Sequence, residues 1–242
     1  MSAGQDARRI DFHKTRRKGV FAMFAGTFML DQNQLKALQG LQKFYAAGVT
    51  GEDKNHPVLQ SIRVHTKGGL LTAWATDRYT LGRMRFRIDK ENREMTGDET
   101  SVFLSKELLA NLVRAVGTLG LVKVTDHESG NVRFDIADYM GNHVQTLTCL
   151  PIDGEWPAAA VEKLMSKMTA KNGESEFALV DPAKLARACS VRLPSDGKSL
   201  VAMQIEALGE QNPIRLSRRG FGPDEDFLAY VMTVRGERHS IT

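Results

Sequence analysis

Catalysis and metal binding need side chains that converge, and this chain offers few. Its six histidines, His13, His56, His65, His127, His143 and His239, are scattered, without the His-x-x-His or His-Glu-x-x-His spacing that puts two zinc ligands on one helix face. Asp196-Gly197-Lys198-Ser199 imitates the end of a phosphate-binding loop, but Arg192 stands where that loop needs its first glycine, so a type I turn is the better reading. Neither a Gly-x-Ser-x-Gly elbow nor a Gly-x-Gly-x-x-Gly fingerprint occurs. Asp153 and Glu155, and Asp224, Glu225 and Asp226 ahead of a strand, read as solvated turn residues. Cys149 and Cys189 sit in apolar-patterned segments without Cys-x-x-Cys spacing, and read as reduced core residues of an intracellular protein. No nucleophile, base and charge stabiliser converge, so the sequence predicts no enzyme, no metal and no cofactor.

The chemistry the residues do offer is attraction for phosphate. Three segments with helical periodicity carry Lys36 and Lys43, Lys106 and Arg114, and Lys184, Arg187 and Arg192, against one acid, Glu107. Lys36 and Lys43 share a helical face, opposite the leucines. Such helices present a positive surface to a phosphate backbone without reading bases. The plain alternative is a solvated exterior.

These helices recur in one arrangement, a capped helix followed by short alternating strands, passed through three times. Asp31 caps the first, through about Ala46, with Leu35, Leu38, Leu41 and Phe44 on one side; strands follow at 58–64, 70–76 and 79–88, with a turn at Lys67-Gly68-Gly69. Ser105 caps the second, with Leu108, Leu109, Leu112, Val113 and Val116 facing inward, before strands at 121–126, 131–138 and 143–150. Asp181 caps the third, with Pro182 at the first helical position and Leu185, Ala186 and Cys189 inward, before strands at 199–208, 213–219 and 226–234. A polar joint separates the second and third passes and includes a short helix near 160–168. The class is α+β: repeated helix-plus-antiparallel-strand units with the helices on one face.

The 242 residues are 42% hydrophobic, 26% charged and 7% aromatic, enough for one or two cores. Residues 1–18 hold six basic and two acidic side chains, and the rest is balanced at 27 against 27. A uniformly basic nucleic-acid coat is thereby excluded, and a basic tail over residues 1–25 remains, read as a solubility segment or a DNA-contacting arm. The N-terminus is too charged for a signal peptide, and no run approaches a membrane span, so the expectation is a soluble cytoplasmic protein.

Several segments resemble, in order, the bacterial DNA polymerase III beta subunit, the replicative sliding clamp. Phe28-Met29-Leu30 with the helix from Leu35 to Phe44, His56-Pro57-Val58-Leu59-Gln60-Ser61-Ile62, and Ala75-Thr76-Asp77-Arg78-Tyr79-Thr80-Leu81 are similar to that family's middle domain. Phe103-Leu104-Ser105-Lys106-Glu107-Leu108-Leu109 resembles its second helix entry, and Pro151-Ile152-Asp153-Gly154-Glu155-Trp156-Pro157 its joint. Asn212-Pro213-Ile214 and Tyr230-Val231-Met232-Thr233-Val234-Arg235 resemble its closing strands. Nothing matches the family's first domain, the last domain shows one unit where two are expected, Thr233 replaces a proline, and Arg78-Tyr79-Thr80 replaces Gly-His-Arg. The reduced length fits a compact, bacteriophage-type version.

The resemblance implies the DNA-clamp fold, with a clamp domain at 26–157, a joint at 158–175 and a partial C-terminal clamp unit at 176–242. It implies a homo-oligomeric ring around double-stranded DNA, closed head-to-tail, with Lys36, Lys43, Lys106, Arg114, Lys184 and Arg187 facing the hole. A ring of twelve units, as in the family, takes four such chains, or three if each holds a hidden fourth unit, while two would make an open or smaller ring. It also implies that a DNA polymerase and a clamp loader dock by a short hydrophobic peptide in a pocket of Leu38, Thr76, Tyr79, Leu81, Pro157, Met232, Val234 and Arg235. The competing function is a DNA-binding regulator that uses the basic arm and does not encircle DNA.

Overall fold

A computed structural model describes residues 26–45, 57–77, 79–88, 99–118, 120–126, 131–152, 154–169, 179–196, 202–207, 213–222 and 224–233. The basic tail, Val234 and Arg235 lie outside the described residues.

The first two passes build two sheets around one core. Strand β1 (Thr27–Asp31) enters α1 (Gln32–Gly40), which tightens into a 3-10 turn over Leu41–Phe44. Asp31 caps α1 reciprocally: its Oδ1 accepts from Gln34 N at 2.8 Å while Gln34 Oε1 accepts from Asp31 N at 3.0 Å. Strands β2 (Ser61–Lys67), β3 (Leu70–Thr76) and β4 (Thr80–Arg87) follow. Residues 58–60 form a 3-10 turn rather than strand, because Pro57 fixes its own φ and Ser61 Oγ donates to Val58 O at 2.9 Å. Gly68 and Gly69, with φ of 57° and 78°, supply the two left-handed positions of the tight β2–β3 hairpin. The second unit runs β5 (Glu99–Ser105), α2 (Lys106–Val116), β6 (Leu121–Asp126), β7 (Val132–Ala137) and β8 (His143–Cys149). After α3 (Ala158–Thr169), the third runs α4 (Pro182–Cys189), β9 (Gln204–Ala207), β10 (Ile214–Arg219) and β11 (Asp226–Val231).

One sheet has the order β1-β6-β7-β8 and the other β5-β2-β3-β4-β11-β10-β9, with every pairing antiparallel. The first two units therefore exchange their leading strands. β1 of the first pairs with β6 of the second, and β5 of the second pairs with β2 of the first. The register is the same at both junctions: each helix-capping residue lies opposite the first residue of the other unit's first strand, Asp31 against Leu121 and Ser105 against Ser61. One step inward, Leu30 meets Val122 and Leu104 meets Ile62, all four at or below 1% exposure.

The third unit is stitched to the first by β4–β11 and shares its core. Ala75, Gly82 and Ala229 stand side by side across β3, β4 and β11, and this row of small residues makes the hollow that Phe44 fills. A Cβ on Gly82 would lie 2.6 Å from the Phe44 ring, which also meets Phe227 at a centroid distance of 5.8 Å. Asp196, at the end of a 3-10 turn over Pro194–Asp196, is no phosphate-loop residue; its Oδ1 accepts from Arg218 at 2.8 Å and its Oδ2 from Leu193 N at 2.6 Å.

Three expectations are corrected. Glu225 is buried, where its carboxylate accepts from Ser195 N and Gly222 N at 3.0 Å each and so closes the turn ahead of β11. Asp226 is no solvated turn residue either, since it pairs with Arg83 and Arg85 across the sheet. Cys189 is exposed and Cys149 half-buried against the core, both free, because among the described residues little covers β8 or the outer turns of α4. The helices of the three units, α1, α2 and α4, pack on one core face as expected, and the joint helix α3 lies on the opposite face of the larger sheet, with Val161 and Met165 against Leu81, Tyr230, Trp74 and Leu228.

Candidate functional site

The seam between the complete pair of units and the third unit carries a cavity of about 430 Å³. Its floor is the outer face of β4 and β11, where Leu81 and Tyr230 lie directly opposite each other. Gly82 occupies the core side of β4, so the parity that buries Met84 and Phe86 under the helices turns Leu81 outward. One wall is the β3–β4 turn. Asp77 Oδ1 accepts from Tyr79 N at 3.0 Å and from Thr80 N at 2.6 Å, and Thr76 Oγ1 donates to Thr80 O at 2.7 Å. Met232 N donates to Tyr79 O at 2.9 Å, which draws the end of β11 against that turn. The other wall is Val58 and Leu59 with the start of α3, where Pro157, Ala160 and Val161 face in. Trp156, packed on Phe103 at a centroid distance of 6.5 Å, anchors the joint.

The cavity is predominantly apolar, with Thr76, Thr80 and Glu155 supplying its polar groups. Tyr79 and Met232 stand at the cavity's rim, at 61% and 36% exposure. Lys184 reaches the site from α4, with Nζ 4.6 Å from the centre of the Tyr79 ring. Burial pushes the Tyr230 hydroxyl above its ordinary range, against the charges of Arg215 and Arg83 and a hydrogen bond that Arg215 donates to it. Such a site suits an extended apolar peptide segment, with polar partners at the margin for its backbone. Among the described residues no group of three His, Cys, Asp or Glu could hold a metal.

Of the residues the sequence nominates for this pocket, Thr76, Tyr79, Leu81, Pro157 and Met232 line one cavity. Leu38 does not: it is fully buried under the core face, where the leucine stripe of α1 directs it. Val58, Leu59, Thr80, Glu155, Ala160, Val161 and Tyr230 were not nominated. Tyr230 had a signal in its strand parity, whereas α3 had none for the face it covers.

The basic helix residues divide. Lys36, Lys106 and Arg114 are exposed and Arg187 is half-buried. Lys43 is committed elsewhere: its Nζ donates to Ser190 O at 3.1 Å and Ser190 Oγ at 2.8 Å, tying α1's extension to the end of α4, and burial lowers its pKa. Lys184 belongs to the cavity's margin.

No protein-family model and no curated protein matches the sequence. Solved structures match the fold. PCNA of A. fulgidus, bound to the C-terminal region of FEN-1, superposes with a TM-score of 0.56 at 11% identity, over 88% of this chain and 100% of its own. The DNA polymerase III beta subunit of Thermotoga maritima gives 0.56 at 13% identity over 89% of this chain and 66% of its own. The sliding clamp of Bacillus subtilis gives 0.57 at 14% identity over 87% and 64%. The fold is thus that of the DNA sliding clamps. More particularly, it is the fold shared by the bacterial DNA polymerase III beta subunits, and the chain spans about two thirds of the length of those it matches.

Proposed function

We propose that this protein is a DNA sliding clamp, a ring of several copies that encircles duplex DNA and tethers a replicative polymerase. The observation that carries this reading is the apolar cavity of a clamp fold, placed at the seam where the third unit joins the complete pair and lined by Thr76, Tyr79, Leu81, Pro157 and Met232. There a short hydrophobic peptide of the polymerase or of the clamp loader docks, one at a time. The tether raises the polymerase's effective concentration at the primer end without chemistry of its own. Lys36, Lys106, Arg114 and Arg187 face the phosphates, through long side chains and water, without base contacts. Lys43 and Lys184 hold the third unit and the docking site instead. The proposed place of work is the cytoplasm, on replicating DNA. Among the described residues no helix is long and apolar enough to cross a membrane.

The test compares retention on nicked circular DNA with retention on the same DNA linearised. A ring stays on the circle and runs off the free ends, whereas equal retention on both overturns encirclement. Lys36→Glu, Lys106→Glu and Arg114→Glu together lower retention on the circle and flatten its dependence on log salt by about 3, at ~0.9 per phosphate contact. The folded state is unchanged, since exposed charges contribute little stability.

The docking site has its own expected result. Met232→Ala with Leu81→Ala weakens a fluorescent Leu/Phe-rich peptide by about 2–4 kcal/mol, in the range of hot-spot truncations. Met232→Ala alone, at the exposed rim, separates lost binding from lost folding. Unchanged titration by both variants removes the cavity from the function.

A further inference from the structure

We infer that the docking cavity continues, beyond Tyr230, into a carboxylate subsite built by Arg83 and Arg215, so that the peptide it takes carries an acidic side chain beside its apolar anchors. This inference rests on the docking reading of the cavity and names the chemistry of its occupant. Strand register lays two neighbouring rows of side chains across the outer face of the larger sheet. One runs Thr76, Leu81, Tyr230, Arg215 and Glu206, from β3 to β9. The other runs Trp74, Arg83, Leu228 and Ser217. The first three residues of the first row line the cavity, and its lining ends in that row at Tyr230. The next side chain is Arg215, with Arg83 in the adjoining row, two residues along β4 from Leu81.

Both guanidinium groups act on the Tyr230 hydroxyl, Arg215 through a hydrogen bond and its charge, Arg83 through its charge. Their side chains are 17% and 27% exposed, sheltered enough to strengthen a charged contact and open enough to be reached. The acids beside them leave positive charge over. Arg83 Nη2 donates to Asp226 Oδ1 at 3.1 Å, but Arg85 Nε donates to the other oxygen of the same carboxylate at 2.9 Å. Arg215 pairs with Glu206. Three arginines thus share two carboxylates. Donors are left over as well: Arg83 Nε, Arg215 Nε and Trp74 Nε1 are shut away from water with no acceptor among the described residues. Buried N–H groups are nearly always matched, and a guanidinium matches a carboxylate best.

The cavity's ends differ in charge. Its own acid, Glu155, belongs to the joint side, so an acidic side chain is repelled there and attracted past Tyr230. Lys184, over the Tyr79 ring, is the rival cation for the same role.

The test titrates the full chain with fluorescent Leu/Phe-rich peptides in which a single Asp is walked along both flanks, each beside its Asn twin. At one position the wild type binds the Asp peptide about tenfold more tightly than the twin, the size of a charge-assisted hydrogen bond. Arg215→Gln lowers that ratio below about twofold. Glu206→Gln removes the competing carboxylate and raises the ratio, a direction that damaged folding does not produce. Circular dichroism checks both variants. Twins that bind alike at every position overturn the subsite and leave the docking reading standing. A ratio kept in Arg215→Gln overturns it too, and one lost instead in Lys184→Gln moves the acid to the Tyr79 rim. Failure of every peptide to bind removes the subsite together with the docking reading.

Discussion

Arg218→Ala is expected to lower the unfolding free energy by about 3–5 kcal/mol, the cost of stranding one member of a buried ion pair. The Arg218 and Asp196 side chains are 4% and 2% exposed, and the guanidinium holds both oxygens of the carboxylate. With Arg218 gone, Asp196 keeps a charge whose remaining partners among the described residues are the Leu193 N–H and the charge of Arg192. Arg218→Met with Asp196→Asn recovers most of the loss, because both charges leave together and the acceptor for Leu193 N remains. Urea unfolding followed by circular dichroism measures the totals, and hydrogen exchange shows the loss concentrated in β9–β11. The pair also sets an acid limit. Burial raises the Asp196 pKa, but the Arg218 and Leu193 hydrogen bonds and the Arg218 charge outweigh it and hold the carboxyl below its usual range. The unfolded state therefore takes up the proton first, near pH ~3.9, and the contribution is fully present above that value and lost as pH falls through the lower folded pKa. Arg218→Met/Asp196→Asn is expected to flatten that part of the pH-stability curve; an unchanged slope rules out this pair as its source.

Phe44→Ala is expected to cost about 3–5 kcal/mol, the range for a buried phenylalanine. The ring is 1% exposed and fills the hollow over Ala75, Gly82 and Ala229, so its loss empties a space bounded by both the first and the third units. Gly82→Ala attacks the same contact from the sheet and costs about 1–3 kcal/mol by overpacking. The two positions are coupled. In a Phe44→Leu background the added methyl finds room, and the penalty of Gly82→Ala shrinks by at least ~0.5 kcal/mol, the least coupling expected of residues in contact. Additive losses in that cycle would show that the sheet, and not the ring, sets the spacing.

The repeated unit was readable because three caps, Asp31, Ser105 and Asp181, stand immediately before apolar stripes, and cap chemistry is local. Much of the cavity's lining was readable through short segments that keep their order: Ala75-Thr76-Asp77 is recognisable because Asp77 must hold its turn by accepting from two successive amides. Long-range pairings were not readable. Nothing local in Asp224-Glu225-Asp226 says that Ser195 lies beside Glu225 or that two arginines of β4 lie beside Asp226. Lys43 and Lys184 look like any basic residues on a helix until Ser190 and Tyr79 are found within reach. Leu38 misleads because its place in the motif does not say which side of α1 it occupies, and the leucine stripe turns it into the core.

The seven-stranded sheet has a mechanical consequence. In the proposed ring, a load across the β4–β11 seam would meet six registered residue pairs, with Phe44 packed beneath them against Phe227. At the far end β8, exposed along most of its length, has no second neighbour among the described residues and brings only its own rim to whatever it meets. In the proposed ring, load would therefore spare the ladder beneath the cavity and fall first on whatever contact β8 makes.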